Sequence, residues 1–147
     1  MGRMYAVSST ATTVTAAQLL ASIDTHDDKV ILIHRIALRV QTVTDEAIGF
    51  VVDRMSVVPT GGASVPTANP MDPGDAADSA TCRNEPTGGT IGVEIGRWNT
   101  STLAGLEVIY TPEERPVISA GLGISISSEL TITSASIDWM ILFEEIG

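Results

Sequence analysis

The residues best suited to acid–base chemistry are two adjacent glutamates in the segment TPEERPVIS, residues 111–119. Glu113 and Glu114 stand beside Arg115 and are flanked by two prolines. A glycosidase needs two carboxyl groups that face one substrate ~5–9 Å apart, whereas adjacent residues of an extended chain point to opposite sides. The pattern therefore predicts a turn that leads into a strand, and we expect no catalytic role for either carboxylate.

Three aspartates in the segment DPGDAAD could offer oxygen ligands to a calcium ion. Asp72, Asp75 and Asp78 recur at intervals of three residues. An EF-hand loop instead needs the spacing D-x-D-x-D-G and a more distant glutamate. Asp-Pro-Gly-Asp is typical of a tight turn, because proline presets one φ angle and glycine accepts a positive one. We therefore predict no metal and no cofactor.

The histidines, the cysteine and the serines do not combine into a recognisable catalytic or zinc site. Zinc needs several ligands in register, and the chain offers only His26, His34 and a single cysteine, Cys82, as nitrogen and sulfur ligands. His34 stands in an apolar row, which is typical of a hydrogen-bonded core histidine. The serine-hydrolase motif G-x-S-x-G is absent from the sequence. These observations predict that the protein is not an enzyme.

Trp98 is a candidate for a contact with a partner. It precedes Asn99-Thr100-Ser101, which fits a glycosylation sequon, and its ring could stack against a sugar. In β proteins a tryptophan of this kind is more often packed or at an interface. We therefore expect Trp98 to contact another part of the protein or a partner.

The elements that would position these residues are strands, because alternation with a period of two runs through most of the chain. In residues 29–43 the alternation defines two faces of one strand, with both arginines on the same face. The first face holds Leu32, His34, Ile36, Leu38 and Val40, and the second holds Ile31, Ile33, Arg35, Ala37 and Arg39. The same period recurs in residues 47–58, 122–127, 130–133 and 136–147. Many short strands separated by turn signals predict an all-β fold, either an antiparallel β-sandwich or a barrel.

Two segments are less regular. Residues 14–26 fit both an amphipathic helix and a strand. The stretch Pro59–Gly89 is rich in proline, glycine and aspartate, and it predicts a long loop that offers nothing to pack and that another surface would hold in place. The 147 residues suit a single domain, with an N-terminal arm over residues 1–15 and this loop over residues 59–89.

The net charge argues against nucleic acid as a partner, and the short apolar runs argue against membranes. Eighteen acidic residues against eight basic ones give a formal charge of −10, and the basic residues are scattered. Such a field repels nucleic acid. No apolar run approaches the ~18 residues of a membrane-spanning helix, and the N-terminus lacks the apolar stretch of a secretory signal. We predict binding to neither nucleic acid nor membranes.

Five segments of the chain carry a resemblance to a known protein family. They are MYAVSSTATTVTAAQLL, KVILIHRIAL, NPMDPGDAA, YTPEERPVIS and LFEEIG, in this order along most of the chain. Together they resemble the jelly-roll head decoration proteins of tailed bacteriophages, also called cement or auxiliary capsid proteins. Ser119-Ala120-Gly121 departs from the family pattern, which has a Pro-Gly turn at this place.

The resemblance implies a jelly-roll β-sandwich that forms a homotrimer on the outer surface of the phage head, after synthesis in the bacterial cytoplasm. The partner that it implies is the major capsid protein, whose neighbouring subunits the trimer would tie together. The resemblance also favours a strand over Gln18–Ile23. An acidic protein suits the outside of a capsid, away from packaged DNA.

We expect partner contacts in the arm, on the arginine face of residues 29–43, in the long loop and at the tryptophan. The arm could add to a neighbouring sheet edge, and the arginines could join protomers or bind the capsid. The predicted contact residues are Met4, Tyr5, Val7, Thr12, Val14, Arg35, Arg39, Asp72, Asp75 and Trp98. Two rival functions are a glycan- or receptor-binding virion β-sandwich that uses Trp98, Tyr110 or Asp72, and a structural protein of the phage tail or neck.

Overall fold

The computed structural model describes residues 2–26, 28–41, 44–129 and 135–147. Within these residues the chain forms β-strands and no helix, which confirms the all-β prediction. The strands are β1 Arg3–Val14, β2 Gln18–Asp24, β3 Val30–Gln41, β4 Ala47–Val57, β5 Asn69–Pro70, β6 Thr81–Asn84, β7 Thr90–Ser101, β8 Leu106–Ile109, β9 Val117–Ile118, β10 Gly123–Ser128 and β11 Ala135–Ile146.

Two antiparallel sheets pack against each other as a β-sandwich. The six-stranded sheet has the order β5-β1-β11-β3-β8, with β9 also paired to β3, and the five-stranded sheet has the order β6-β2-β10-β4-β7. The longer strands pair first with last: β1 with β11, β2 with β10, β3 with β8, and β4 with β7. This connectivity, a long hairpin wrapped into two sheets, is that of a jelly roll. The predicted jelly-roll-like sandwich is therefore confirmed.

The core fills the space between the sheets with alternate residues of the long strands. Tyr5 and Phe143 stack with their ring centroids 5.5 Å apart. Trp139 on β11 donates its indole N–H to the side-chain oxygen of Asn84 on β6 at 2.8 Å, so this bond joins the two sheets through the interior. The largest fully buried side chains are Trp139, Tyr5, Phe50, Phe143, Leu20, Ile23, Ile31, Ile33, Ile36, Ile48, Ile118 and Ile124.

The expected N-terminal arm is wrong, because residues 3–14 form a strand inside the six-stranded sheet. β1 pairs with β11 on one side and with β5 on the other. Tyr5, Val7 and Val14 point inward and belong to the hydrophobic core. Burial of such side chains stabilises the sandwich by about 1.5–3 kcal/mol each. These three residues are core residues and not contacts with a partner.

The two faces predicted for residues 29–43 are wrong in the first half of the segment. Phe143 pairs with Ile33 and Leu142 pairs with Arg35, so His34 is an extra residue that forms a β-bulge. A bulge reverses which alternate residues point inward. The core side chains of β3 are Ile31, Ile33, Ile36 and Leu38. Leu32 therefore lies on the outward side, whereas the prediction that the two arginines share a face is correct.

The long loop between β4 and β7 does pack against the body, which corrects the expectation that it offers nothing to bury. It contributes β5 to the edge of β1 and β6 to the edge of β2. Ala68 and the thiol of Cys82 are buried in the core. An antiparallel bridge between Gly61 and Thr87 joins its two ends. Small side chains allow this loop to lie close to the sheets.

Further predictions concern β2, the turns on either side of β9, and residues 130–133. Residues 18–24 form strand β2, as the resemblance favoured. The Glu114 amide donates to the Thr111 carbonyl at 3.0 Å, and this turn leads to β9 as expected. Ser119 and Leu122 close a second turn, in which Gly121 has a φ of 73°. The strand predicted over residues 130–133 lies outside the described residues.

Candidate functional site

The side chains considered for chemistry lie in separate turns. Glu113 and Glu114 are exposed, and Glu114 accepts a hydrogen bond from the Thr111 hydroxyl at 3.0 Å. Asp72 accepts a hydrogen bond from the Gly74 amide at 2.9 Å, as a turn aspartate does. Within the part of the chain that is described, no group of three or more His, Cys, Asp and Glu residues could hold a metal ion. These carboxylates stabilise turns and do not converge on one point.

The outward side of the six-stranded sheet forms a broad surface, which we call the open face. Its residues align in rows that cross β1, β11, β3 and then β8 or β9. The rows are Met4, Glu144, Leu32 and Val117; Ala6, Leu142, Arg35 and Ile109; and Ser8, Met140, Ala37 and Glu107. Asp138 and Arg39 form a cross-strand pair beyond the third row.

Apolar side chains occupy most of the open face. They are Met4, Ala6, Leu32, Ala37, Ile109, Val117, Met140 and Leu142. Ile109 is 69% exposed and Val117 is 41% exposed, and the other six are partly exposed. The solvated face of an antiparallel sheet is commonly polar. A contiguous apolar surface of this kind indicates a contact with another molecule.

The charged side chains in the rows of the open face are paired with each other. Arg35 forms an ion pair with Glu107 on the neighbouring strand. His34, which the bulge turns outward, lies 3.1 Å from a carboxylate oxygen of Glu144. Pairing of this kind leaves little net charge on the face, although the whole chain carries −10. The open face can therefore be covered by a partner without leaving these charges unpaired.

A shallow hollow of about 390 Å³ lies at the edge of the open face, between β1, β11 and β3. Ala37, Arg39, Asp138 and Met140 contribute to its lining. Asp138 accepts a hydrogen bond from Gln41 at 2.6 Å. Arg39 is exposed and forms no ion pair with any described residue. Its guanidinium is thus available to a carboxylate of a partner.

The outward side of the five-stranded sheet is buried at its centre, on β2, β10 and β4, and we call this part the covered face. Ser22, Ser125 and Asp53 are cross-strand neighbours on β2, β10 and β4. Their exposed fractions are 0%, 0% and 7%. Met55, which is also on this side of β4, is 2% exposed. Polar residues on an outward face become inaccessible only where another part of the chain covers them.

The long loop covers the part of this face around Met55. Residues 85–89 lead from β6, at one edge of the five-stranded sheet, to β7 at the other edge, so they must cross the strands in between. A Cβ atom added to Gly89 would lie 2.5 Å from the Met55 Cε and 3.1 Å from the Pro59 Cγ. Glycine therefore lets the loop backbone touch the covered face.

One consequence of the cover is an unusual carboxylate. Burial, and next the nearby Glu94 carboxylate, raise the pKa of Asp53. The hydroxyls of Ser22 and Ser125 are buried and make no hydrogen bond with the described residues. The covered face thus contains polar groups whose burial costs stability.

Trp98 lies at one edge of the sandwich, between β7 and β8, which are edge strands of the two sheets. A cavity of about 360 Å³, which we call the edge slot, is lined there by Ile95, Trp98, Val108, Ile109, Tyr110 and Glu114. The Trp98 ring lies over Gly96, where an added Cβ would come within 2.4 Å of the ring. Glycine at position 96 is therefore required for this ring position. Burial raises the pKa of Tyr110 to about 12.

The tip of the long loop is fastened to the edge of β1 and to the end of β11. Tyr5 donates its hydroxyl hydrogen to the Ala76 carbonyl at 2.9 Å. Glu145 accepts hydrogen bonds from the amide and the hydroxyl of Ser79 at 2.9 and 2.8 Å. Asp75 lies 3.5 Å from the side chain of Arg3. These contacts explain why the loop keeps a defined position.

The ten predicted contact residues fall into different regions. The open face contains three of them: Met4, Arg35 and Arg39. The core contains Tyr5, Val7 and Val14. Asp72 and Asp75 lie at the loop tip, Trp98 lines the edge slot, and the side chain of Thr12 lies outside the described part.

Sequence reasoning missed the central residues of the open face. Met140 and Leu142 alternate with the core residues of β11, so the segment is apolar on both faces. Apolar residues on both sides of a strand were the available signal, because a solvated outer face alternates with polar residues.

Comparisons with known proteins identify no family for this chain. No protein-family model, no curated protein and no solved structure matches this chain. Among the described residues, none forms a helix of the length and apolarity needed to cross a membrane.

Proposed function

We propose that the protein is a structural protein of a phage virion, a head decoration protein that forms a homotrimer and binds the outer surface of the capsid. The observation that carries this proposal is the open face, an accessible and largely apolar sheet surface on which Arg35 is paired with Glu107 and Arg39 is available to a partner. The resemblance of the five sequence segments to head decoration proteins supports it independently.

The composition of the open face fits attachment to protein better than catalysis or nucleic-acid binding. Methionine, aromatic residues and arginine are enriched in protein interfaces. Met4, Met140 and Arg39 lie on this face. The remaining surface carries most of the acidic charge, which would keep it away from DNA.

In this proposal each protomer binds weakly and the trimer binds tightly. Three linked open faces engage three equivalent capsid positions, and linkage multiplies affinity by about 10²–10⁴ when the geometry allows simultaneous contact. Internal pressure must then break several contacts at once to separate neighbouring capsid subunits. No bond-making step is needed for this function.

The test compares two substitutions of exposed apolar residues by glutamate. Met140→Glu places a charge in the middle of the open face, whereas Val93→Glu does so on β7 of the other sheet, where Val93 is 72% exposed. Cosedimentation with purified heads of the phage that encodes the chain should fall more than about tenfold for Met140→Glu and remain unchanged for Val93→Glu. Melting temperatures of both variants should stay close to that of the parent.

Light scattering checks the assembly separately. The parent protein should have a mass near three chains at micromolar concentration. A clean monomer, or full binding of Met140→Glu to heads, would contradict the proposal.

A further inference from the structure

The edge slot is a place where the hydrophobic core reaches the surface. Ile95, Trp98 and Tyr110 pack against the core but are only partly buried. They come from both sheets, because the chain passes from β7 to β8 through the turn at residues 102–105. An aliphatic side chain that enters the slot would therefore continue the core between the two sheets.

The strand beside the slot has an unpaired edge. Among the strands that the structure describes, β7 is the last of the five-stranded sheet and pairs only with β4. From Gly96 to Ser101 it is in regular register with β4, whereas its register shifts lie nearer its start. Apart from the Ser101 carbonyl, which accepts a hydrogen bond from the Ala104 amide at 3.0 Å, residues 96–101 thus present a regular row of backbone groups to any extended chain that approaches.

Two polar groups of the slot lack partners in the described molecule. The Tyr110 hydroxyl is buried without a hydrogen bond, and the Trp98 indole N–H makes none to any described residue. Both are hydrogen-bond donors, and the carbonyl groups of an extended peptide are acceptors. Glu114 places a negative charge at the same slot.

We propose that the edge slot and residues 96–101 bind an extended segment of a second protein as an added β-strand. The segment pairs with the free edge of β7, inserts an aliphatic side chain between the sheets and places a basic side chain beside Glu114. A second copy of this chain fits less well, because each strand given above already pairs within its own sheets and is not free to add to this edge. The site is separate from the rows of the open face except at Ile109, so it does not depend on binding to a phage head.

The test uses the full chain and the peptide acetyl-KTITITK-amide, which has alternating isoleucines and terminal lysines. Hydrogen exchange should show new protection of amides in residues 96–101 at about 1 mM peptide. Tyr110→Phe should weaken binding roughly three- to tenfold because it removes one donor. Glu114→Gln should weaken binding and reduce its dependence on salt.

Tyr5→Phe is the matched control. Its hydroxyl bonds the Ala76 carbonyl far from the slot, so this variant should melt earlier and bind the peptide normally. Tyr110→Phe should melt no earlier than the parent, because the hydroxyl that it removes is unsatisfied. This opposite pattern separates a binding defect from a folding defect.

Several results would overturn the proposal. These are the absence of protection in residues 96–101, equal peptide binding by the parent, Tyr110→Phe and Glu114→Gln, or protection by chitotriose and none by the peptide. Protection that rises with protein concentration in the absence of peptide would assign the slot to a second copy and would also overturn it.

Discussion

The open face and the covered face are the outward sides of two sheets of similar size, yet they are completed in opposite ways. On the covered face, Ser22, Ser125 and Asp53 are buried, and the backbone of the long loop at Gly89 lies against Met55. On the open face, apolar side chains such as Ile109 and Val117 stay accessible. Burial of a sheet face thus does not follow from how apolar its residues are, because here the buried face carries the polar residues and the accessible face carries the apolar ones.

This contrast divides the molecule into a side that stabilises the fold and a side that is free to bind. Side chains of the covered face exchange water for contacts with the loop when the chain folds. Those of the open face keep much of their contact with water until a partner arrives. Matched substitutions on the two faces should therefore differ in their effect on stability.

The largest difference is expected between two methionines. Met55→Ala removes a buried side chain under the loop and should lower the free energy of unfolding by about 2–5 kcal/mol. Met140→Ala removes a partly exposed side chain of the open face and should cost less than about 1 kcal/mol. Urea unfolding followed by circular dichroism measures both values. Equal losses would show that the two faces are equally buried.

A smaller effect is expected at Asp53 and should depend on pH. Burial and Glu94 raise the folded-state pKa of Asp53 above its unfolded value, so its ionised form destabilises the fold at neutral pH. This cost disappears as the pH falls through the folded-state pKa. Asp53→Asn should raise the free energy of unfolding by about 1 kcal/mol near neutral pH. This gain should shrink as the pH falls through the folded-state pKa of Asp53 and should be lost below the ordinary carboxyl value of 3.8.

Denaturant unfolding at several pH values checks this prediction. Asp138→Asn is the control on the open face, where the carboxylate accepts a hydrogen bond from Gln41; this variant should not gain stability at any pH. A gain for Asp53→Asn that grows towards acid pH would contradict the assigned sign.

The smallest effect is expected at the serines. The Ser125 hydroxyl is buried without a partner among the described residues, so Ser125→Ala should leave the stability unchanged or raise it by up to about 0.5 kcal/mol. Ser8→Ala on the open face removes an exposed hydroxyl and should have no measurable effect. Thermal unfolding compares the two variants. A loss of more than about 1 kcal/mol for Ser125→Ala would reveal a hydrogen bond to that hydroxyl.

Alternation in the sequence was sufficient to predict the strands and the sandwich, because a period of two is a local property of an extended chain. It was not sufficient to choose the inner face of β3. Ile31 and Leu32 are both apolar, and the bulge at His34 depends on pairing with β11. β1 was mistaken for an arm because the serine- and threonine-rich run that follows Val7 in the sequence obscured the inward Tyr5 and Val7.

Only part of the candidate site could be predicted from the sequence. The shared face of Arg35 and Arg39 follows from spacing along one strand, and the structure places both on the open face. The meeting of Trp98 with Tyr110 in the edge slot involves strands of two different sheets. Contacts of that kind depend on topology, which a local pattern does not encode.

The hydrogen bond between Trp139 and Asn84 has a mechanical consequence. It links the middle of one layer to the root of the long loop on the other layer, across the interior. A load applied to the loop is therefore passed on to a central strand and does not simply peel the loop away. The bond therefore helps to hold the two sheets together under shear. Because it is buried, water does not compete for it when the loop is pulled.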